Sequence, residues 1–446
     1  MSLLDKIKLE KLFTRLFPLP RSITGQGLRE SFHILNEYIN FKLEEVPSGY
    51  KADDWQVPQE WQVNNLQLLD EGKNNLIDYK LNNLHVVNYS ESLKIEGKLE
   101  DIQEYIYTAR HMPNAIPYVT SYYSNLKGIC ISENLMSKLK GKNLRIDLET
   151  SFFDGGMTFG ETVLEGAHSK EVNLTSYMCH PSMGNNELSG PLVLLLLYQL
   201  LEKHDRKFTY RFSIFPESIG AITYIKKNHE RLKSQTIYGL VLTCLGGPVK
   251  NISYKMGKNT KIKNKFQDYL SSRRDVLMRP FDPTEGSNER HFCFPTVDLP
   301  FGQFGRTLYT KYPEYHNSAD DIIFTDINQL IKSATEIFQL IVDFEKQYVE
   351  SDVSIEPNLN FLNTDSEDFL IPKAKYGEPF LTKYDLYPKV NTDGTKLTTE
   401  RDFTNKVLKI LSMSDGFTSK EFISKKFDID DQIFDILLEN KILNKR

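Results

Sequence analysis

Three stretches of the sequence combine residue types that could bind a metal ion or transfer a proton. The first runs from Ser176 to Gly190, where a strand pattern ends at His180 and a polar turn leads into an apolar helix pattern. Open α/β sheets bind ligands beyond the carboxyl ends of their strands. An imidazole there suits a divalent metal ion, and Asn186 or Glu187 could add an oxygen ligand. The simpler alternative is a histidine that only hydrogen-bonds a loop.

Glu217 lies in the second stretch, between a predicted strand that ends near Phe215 and a predicted helix. A carboxylate at this junction could act as a general base toward a metal-bound water, because burial would raise its pKa and a metal ion would lower it. The alternative is an acidic residue in the first turn of a helix, where it stabilises the helix dipole.

The third stretch, residues 285–320, is rich in polar, aromatic and basic residues and is predicted to form loops. It contains Arg290, Arg306, Tyr315 and His316. Loops that carry Arg, Tyr and His between sheet-building segments are where substrates are commonly held. The alternative is an ordinary polar loop with surface tyrosines.

The elements that must position these residues alternate between strand and helix patterns. Strands are predicted at 128–132, 172–178, 208–215 and 238–245, and helices from Leu188, from Ile219 and over 327–348. This alternation is typical of βαβ units around a largely parallel sheet. We therefore predict an α/β core in which His180 and Glu217 stand at strand ends.

Changes in composition along the chain predict its division into domains. The α/β core is predicted at 1–40 and 118–350, interrupted at 41–117 by a small β-rich domain of short alternating pieces and polar turns. Residues 351–385 are polar and acidic and are predicted to be a linker. Three short helical patterns in 386–446 predict a winged helix-turn-helix module.

Composition and charge narrow the class of protein. A chain of 446 residues predicts two to four folding units. The four cysteines form no CxxC pair, so a disulfide framework is not indicated and a reducing, cytoplasmic location is expected. The longest apolar run, 191–201, is about half the ~20 residues that cross a bilayer, so no membrane association is expected.

The charge balance also argues against nucleic acid as a partner. The whole chain carries 55 Lys and Arg against 60 Asp and Glu, a formal net charge of −5. Residues 400–446 carry nine basic and nine acidic residues, without the positive excess that a DNA-reading module presents. We therefore expect the terminal module to mediate protein contacts or homo-oligomerisation.

Together the motifs resemble a known family. Their order is similar to that in the co-catalytic zinc aminopeptidases of the bacterial leucyl-aminopeptidase and glutamate-carboxypeptidase type. The resemblance is closer to the aminopeptidase-like proteins of bacterial polysaccharide biosynthesis loci, and it covers nearly the whole chain. Its hallmarks include Leu16-Phe-Pro-Leu-Pro-Arg-Ser-Ile-Thr-Gly25, Cys179-His-Pro-Ser182 and Tyr312-Pro-Glu-Tyr-His316.

The resemblance implies a phosphorylase/hydrolase-like three-layer α/β sandwich of the zinc-peptidase type, with the inserted β-rich domain and the C-terminal winged helix. In such peptidases two zinc ions are bound by two histidines and several acidic residues. His180 and His316 match the histidines. Glu217 matches the general base, and Tyr315 stands where a phenol can stabilise the tetrahedral oxyanion.

The sequence departs from the family pattern at three acidic positions. Asn186 occupies the position of the bridging Asp, Ser218 that of a second Glu, and Thr243 lies near that of the remaining Asp. Two dications need carboxylates to offset their mutual repulsion, so a two-zinc site is disfavoured.

The leading hypothesis is therefore a single-zinc hydrolase. His180, His316 and either Asn186 or Glu187 would hold one Zn²⁺ while Glu217 acts as the base; alternatively, Glu217 itself binds the metal and no base is evident. Tyr315, Arg290 and Arg306 would hold the oxyanion and an anionic substrate group. The predicted reaction is hydrolysis of an amide or peptide-like bond in a small amino-acid or aminoacyl-sugar substrate, in polysaccharide or glycan biosynthesis.

The rival hypothesis is a catalytically degenerate peptidase fold that binds a ligand or acts as a scaffold.

Overall fold

The computed structural model describes residues 5–122, 126–258, 264–309, 311–348, 369–387 and 398–446, without the side chains of 398–400. Within these ranges no helix is both long and apolar enough to span a lipid bilayer. The helices in chain order are α1 (Lys6–Leu16), α2 (Gln26–Leu35), α3 (Leu99–Ile102), α4 (Glu133–Lys138), α5 (Ser189–Glu202), α6 (Ile219–Gln235), α7 (Lys265–Ser271), α8 (Glu289–Phe292), α9 (Ile327–Gln347), α10 (Thr398–Met413), α11 (Lys420–Phe427) and α12 (Asp431–Glu439).

The strands of the described residues belong to one large sheet and four small ones. In chain order they are β1 (Lys42–Pro47), β2 (Lys51–Ala52), β3 (Trp55–Gln56), β4 (Glu60–Leu69), β5 (Leu93–Lys98), β6 (Ile106–Tyr107), β7 (Ile129–Cys130), β8 (Asn143–Phe153), β9 (Gly156–Leu164), β10 (His168–Tyr177), β11 (Phe208–Phe215), β12 (Thr236–Leu242), β13 (Ser253–Lys255), β14 (Leu277–Arg279), β15 (Phe301–Gly305), β16 (Leu370–Pro372) and β17 (Leu443–Lys445).

The large sheet has eight strands in the order β1-β9-β11-β10-β12-β15-β13-β14. Its four central strands, β11, β10, β12 and β15, run parallel. Antiparallel pairs flank them on both sides. Central parallel strands need helices on both faces, because neither face can be left to water.

Helices cover both faces of this sheet. On one face α1, α2, α5, α7 and α9 share a buried hydrophobic cluster with Val172 and Leu174 of β10. On the other face α6 and α8 pack against Tyr177 of β10 and Val241 of β12. Helix α5 is apolar on all sides and buries twelve of its fourteen residues, which is why its sequence lacks an amphipathic pattern. The predicted α/β class is confirmed by these layers.

A second, antiparallel sheet consists of β4, β8 and β5. Its middle strand, β8, lies outside the predicted insertion at 41–117. Strand β1 lies inside that insertion but pairs with β9 of the large sheet. The predicted boundaries 41–117 and 118–350 therefore do not coincide with the two sheets. Strand β7, predicted as part of the large sheet, pairs with β6 instead. The physical reason is that strand partners distant in sequence leave no local signal in composition.

The terminal region contains α10, α11 and α12 and a two-stranded sheet formed by β16 and β17. Strand β16 lies inside the predicted linker 351–385, so residues 369–385 are ordered by pairing with the chain terminus rather than free. Residues 351–368 of that linker and 388–397 of the predicted module lie outside the described residues. The winged helix-turn-helix assignment of 386–446 stays a prediction.

Gly190 permits the close approach of α5 to the ends of β10 and β12. A Cβ at this position would collide with the Ser176 side chain and the Leu242 backbone. We expect Gly190→Ala to lower the free energy of unfolding by about 1–3 kcal/mol in urea titrations, because a packed core cannot take an added methyl group without strain.

The control for this measurement is Gly72→Ala. The nearest neighbours of a Cβ at Gly72 are the ends of the Asn74 and Asp70 side chains, which can move away. This variant should stay within about 0.5 kcal/mol of the wild type. Equal unfolding free energies for the two variants would contradict the packing argument.

Candidate functional site

The site lies at the carboxyl ends of two neighbouring parallel strands, β10 and β11. His180 follows the end of β10 by three residues, and Glu217 follows the end of β11 by two. The His180 Nε2 atom is 3.8 Å from the Glu217 Oε2 atom. The structure therefore brings together these two predicted residues.

A buried carboxylate fixes the orientation of His180. The Glu187 Oε2 atom is 2.9 Å from His180 Nδ1, and Glu187 Oε1 accepts hydrogen bonds from the Cys179 backbone N–H (2.7 Å) and from Arg21 Nε (3.2 Å). The side chains of Glu187 and Arg21 are fully buried. A carboxylate behind an imidazole holds a proton on the nearer nitrogen and fixes the orientation of the ring. Glu187 thus directs Nε2 of His180 toward Glu217.

The charge state of His180 depends on the same contacts. Burial opposes a charge on the ring, but the Cys179 sulfur and the Glu187 carboxylate outweigh it and raise the pKa of His180 well above its ordinary value. Burial also raises the pKa of the Cys179 thiol. Because Arg21 pairs with Glu187, the buried carboxylate is already compensated by a cation.

Asp320 holds the turn that carries Glu187. Residues 184–188 form one π-helical turn ahead of α5. The Asp320 carboxylate accepts hydrogen bonds from the backbone N–H groups of Asn185 and Asn186, the latter at 2.8 Å, and its carbonyl accepts from Gly184 at 2.7 Å. A carboxylate at this end of a helix is favourable, because the first N–H groups lack partners within the helix.

A hydrogen-bonded chain from α8 holds Glu217. The Ser287 hydroxyl donates to Glu217 Oε1 at 2.6 Å, and the Ser287 backbone N–H donates to Glu289 at 3.1 Å. Glu289 pairs with Lys255 at 3.0 Å, and both side chains are almost completely buried. One Glu217 oxygen is thereby fixed, while Oε2 remains directed toward His180.

Aromatic rings surround the two histidines. The His316 ring stacks on Tyr315 with centroids 3.8 Å apart, and the Tyr118 ring lies 5.0 Å from His180 and 5.2 Å from His316. Burial and the neighbouring His180 lower the pKa of His316 well below its ordinary value, so its ring is neutral. Burial raises the pKa of Tyr315, which keeps the phenol as a hydrogen-bond donor.

Two cavities meet at this site, one of about 840 Å³ and one of about 300 Å³. Tyr315 lines the larger cavity, and His180 lines the smaller. Residues that line both cavities form their common wall: Tyr118, Glu217, Ser218, Arg290, His316 and Tyr387. The volumes suit small-molecule ligands, whose pockets span about 300–1,000 Å³.

The two arginines predicted to bind substrate lie in different places. Arg290 lines both cavities and its Nε atom is 3.4 Å from Glu378 Oε1. Although burial opposes its charge, Glu378 holds the pKa of Arg290 above its ordinary value. Arg306 does not line either cavity; its buried guanidinium contacts Glu336, the Ser333 hydroxyl and backbone carbonyl groups. Arg306 was predicted to bind the substrate, but in the structure its guanidinium holds neighbouring parts of the fold together.

The predicted oxygen ligands are also occupied by other contacts. Both Glu187 oxygens bind protein groups, although Cys179, His180 and Glu187 bring ligand atoms within 4.8 Å of one another. Arg21 beside Glu187 disfavours a dication there. Asn186 Oδ1 lies 3.2 Å from the Tyr177 hydroxyl. Asn186 and Glu187 therefore serve as support rather than as metal ligands.

The side chains that remain as possible ligands decide how many zinc ions the site can bind. The Tyr177 hydroxyl lies 2.7 Å from Thr243 Oγ1 and 3.2 Å from Asn186 Oδ1, so it bridges two of the three neutral residues at the acidic positions of the resemblance. This set does not fit two zinc ions. The rings of His180 and His316 have centroids 5.6 Å apart, compatible with one shared zinc ion given Zn–N bonds of about 2.0–2.1 Å. With Glu217 beside them, these residues fit one ion.

Four residues contribute to the site that sequence reasoning did not assign to it. Arg21 supports Glu187, Tyr118 packs against both histidines, Ser287 holds Glu217, and Asn288 Oδ1 accepts the Ser218 N–H at 2.9 Å. Each acts across a long sequence separation, so spacing gives no signal for it. Arg21 and Tyr118 lie within motifs of the resemblance, and Ser287 and Asn288 lie within the third candidate stretch, but their individual roles carried no signal.

Comparisons with known proteins agree with the fold. A family model described as a domain of unknown function, DUF4910, matches residues 10–347. A Clostridium acetobutylicum protein described as a polysaccharide biosynthesis protein with an aminopeptidase-like domain is 35% identical over 382 residues, which cover 84% of this chain and 82% of that protein.

Solved structures match over most of the chain. The crystal structure of a Clostridium acetobutylicum protein described as a peptidase has a TM-score of 0.71 and 29% identity, and the match covers 99% of this chain and 96% of that one. The zinc aminopeptidase BSAP of Bacillus subtilis has a TM-score of 0.53 and 10% identity, with 77% and 96% coverage, and shares the fold. This chain thus belongs to the DUF4910 family and, like its Clostridium acetobutylicum relative, to the aminopeptidase-like proteins of polysaccharide biosynthesis.

Proposed function

We propose that the protein is a zinc-dependent hydrolase that cleaves an amide or peptide-like bond in a small substrate. The observation that carries the proposal is the arrangement of His180 between Glu187 and Glu217, 2.9 Å and 3.8 Å from its two nitrogens. A carboxylate behind the ring and a second one in front of it, at the wall of a cavity, give the imidazole a held orientation and a reactive side.

His180 and His316 would hold the ion, in the wall that they share with Glu217. Nε2 of His180 lies on the Glu217 side, His316 lines both cavities, and imidazole nitrogen is a preferred zinc ligand. A bound zinc ion would supply a Lewis acid that polarises a carbonyl group and makes water more acidic.

Glu217 would transfer the proton. Its Oε1 atom is held by Ser287, which leaves Oε2 on the His180 side to accept a proton from the attacking water. The water oxygen bonds to the carbonyl carbon, and the proton on Glu217 then passes to the amine nitrogen as the C–N bond breaks. The alternative, in which Glu217 binds the metal, leaves the base unassigned.

Tyr315 and Arg290 would bind the substrate on either side of Glu217. The Tyr315 phenol stays protonated and lines the larger cavity, where it can donate to a developing oxyanion. Arg290, in the wall of both cavities, can hold a carbonyl or anionic group.

The substrate class follows from the relatives and the cavity. The Clostridium acetobutylicum relative is described as a polysaccharide biosynthesis protein. We therefore propose a small amino-acid or aminoacyl-sugar conjugate as the substrate, in polysaccharide or glycan biosynthesis. The cytoplasm is the proposed compartment, and homo-oligomerisation through the terminal module remains a proposal.

A second candidate function is ligand binding without hydrolysis. It is favoured by the contacts that join Tyr177, Asn186 and Thr243, because these neutral side chains satisfy one another instead of a cation. The two candidates differ in a measurable way, since only the first needs zinc and Glu217.

The first test combines metal analysis with Glu217→Gln. We expect about one zinc ion per chain after growth with zinc. Hydrolysis of leucine p-nitroanilide and of an N-aminoacyl glucosamine should be lost with EDTA, and Glu217→Gln should lower kcat about 10²–10⁴-fold, because an amide cannot accept the proton. Unchanged zinc affinity in Glu217→Gln supports the base role, and loss of zinc supports the ligand role.

The control variant is Glu285→Gln, which removes another carboxylate from the larger cavity, one that pairs with Lys311 at 3.0 Å. It should leave kcat and zinc content close to those of the wild type. Protein without zinc, together with an absence of any EDTA effect, would rule out the hydrolase mechanism and favour the second candidate.

The second test addresses the positioning of Glu217. Ser287→Ala removes the 2.6 Å hydrogen bond to Oε1, and we expect kcat to fall about tenfold while zinc content stays unchanged, because only the orientation of the carboxylate is lost. Ser271→Ala, on the exposed end of α7, is the control. Wild-type kcat in Ser287→Ala would remove this serine from the mechanism.

A further inference from the structure

The terminal region of the chain contributes part of the cavity wall. Tyr387 lines both cavities, and Arg401 and Asn405 of α10 line the larger one. The other residues of that wall come from the α/β core and from the loop around Pro117. Substrate that enters the larger cavity would therefore meet side chains of α10 as well as side chains of the α/β core.

Helix α10 is fixed in this position by packing and by polar contacts. Val407, Ile410 and Leu411 are buried in the same core cluster as α6 and α8. The Thr404 hydroxyl donates to the Leu386 carbonyl at 2.9 Å, which ties the helix to the segment that carries Tyr387. These contacts make the wall part of the folded structure.

A salt bridge joins the far end of α10 to the α/β core. Lys258 Nζ is 3.4 Å from Asp415 Oδ2 and also contacts the Ser412 carbonyl. Burial lowers the pKa of Lys258 despite the nearby Asp415. The helix is therefore anchored at both ends against the domain that contains His180.

Arg401 differs from the other cations of the larger cavity. Lys311 pairs with Glu285 at 3.0 Å and Arg290 with Glu378 at 3.4 Å, whereas Arg401 has no acidic partner within the described residues. Asn405 lies four residues later, on the same face of α10. The two side chains offer a guanidinium group and an amide to the cavity, with no acceptor for either among the residues that the structure describes.

We propose that Arg401 and Asn405 form a subsite that recognises an anionic oxygen group, a carboxylate or a phosphate, on the substrate. A guanidinium fork and a neighbouring amide donate several hydrogen bonds to such a group. The subsite makes α10 a determinant of substrate specificity. The inference deepens the proposed function, because it takes the larger cavity as the substrate site, but binding at the subsite needs neither zinc nor turnover.

The test measures binding to the full chain by calorimetry at low salt. Glucuronate and glucose 6-phosphate are the carboxylate and phosphate probes, and glucose is the neutral probe. We expect at least one anionic probe to bind the wild type at least tenfold more tightly than glucose. Arg401→Ala should lower that affinity about tenfold or more, and Asn405→Ala should lower it less, because an amide carries no charge.

Lys406→Ala is the matched control. Lys406 lies on the same helix and pairs with Asp402 at 3.4 Å, and it does not line the cavity. This variant should bind the anionic probe like the wild type. Arg401→Lys should keep part of the affinity, since it keeps the charge without the fork.

Several outcomes would overturn the inference. Binding of the anionic probes no tighter than that of glucose, equal affinity in the wild type and Arg401→Ala, or an equal loss in Lys406→Ala would each do so. A changed oligomeric state of Arg401→Ala in gel filtration would also do so, because the loss would then be indirect. Repeating the titrations with Glu217→Gln separates the two proposals: tight Arg401-dependent binding by an inactive protein upholds the subsite even where hydrolysis is absent.

Discussion

The contact between Arg21, Glu187 and His180 is the interaction on which the site depends. A buried carboxylate is tolerated because a buried guanidinium and a backbone N–H compensate its charge. In return the carboxylate fixes the ring of His180 and leaves one nitrogen toward Glu217. The π-helical turn, the Asp320 contacts and the close packing at Gly190 all serve to place Glu187 there.

Electrostatic balance explains why this site differs from a two-zinc peptidase centre. The buried charges on either side of it are already paired, Glu187 with Arg21 and Glu289 with Lys255. The residues between them, Tyr177, Asn186 and Thr243, are neutral. Such a pocket has little negative charge left to bind cations, so at most one ion is expected.

Much of the core was predictable from the sequence, because local patterns determine it. The strand at 208–215 and the helices from Ile219 and Ile327 follow directly from periodicity, and His180 and Glu217 follow from their places at strand ends. The predicted domain boundaries differ from the observed sheets because β8 and β1 pair with strands far along the chain. The loop sequence also could not show which arginine faces the substrate, because the contacts of each arginine come from other parts of the chain. Arg306 is buried against Glu336, whereas Arg290 faces the cavities.

The wall contributed by α10 has a consequence for the synthesis of the protein. Ile23 lines the smaller cavity and Arg401 the larger one, so residues far apart in the sequence complete the surroundings of the two adjoining cavities. Contacts between residues so far apart in sequence form slowly, because a long loop must close first. A nascent chain on the ribosome can assemble the large sheet before it can enclose the cavity. The final enclosure, and with it ligand capture in the larger cavity, therefore has to wait for the translation of α10.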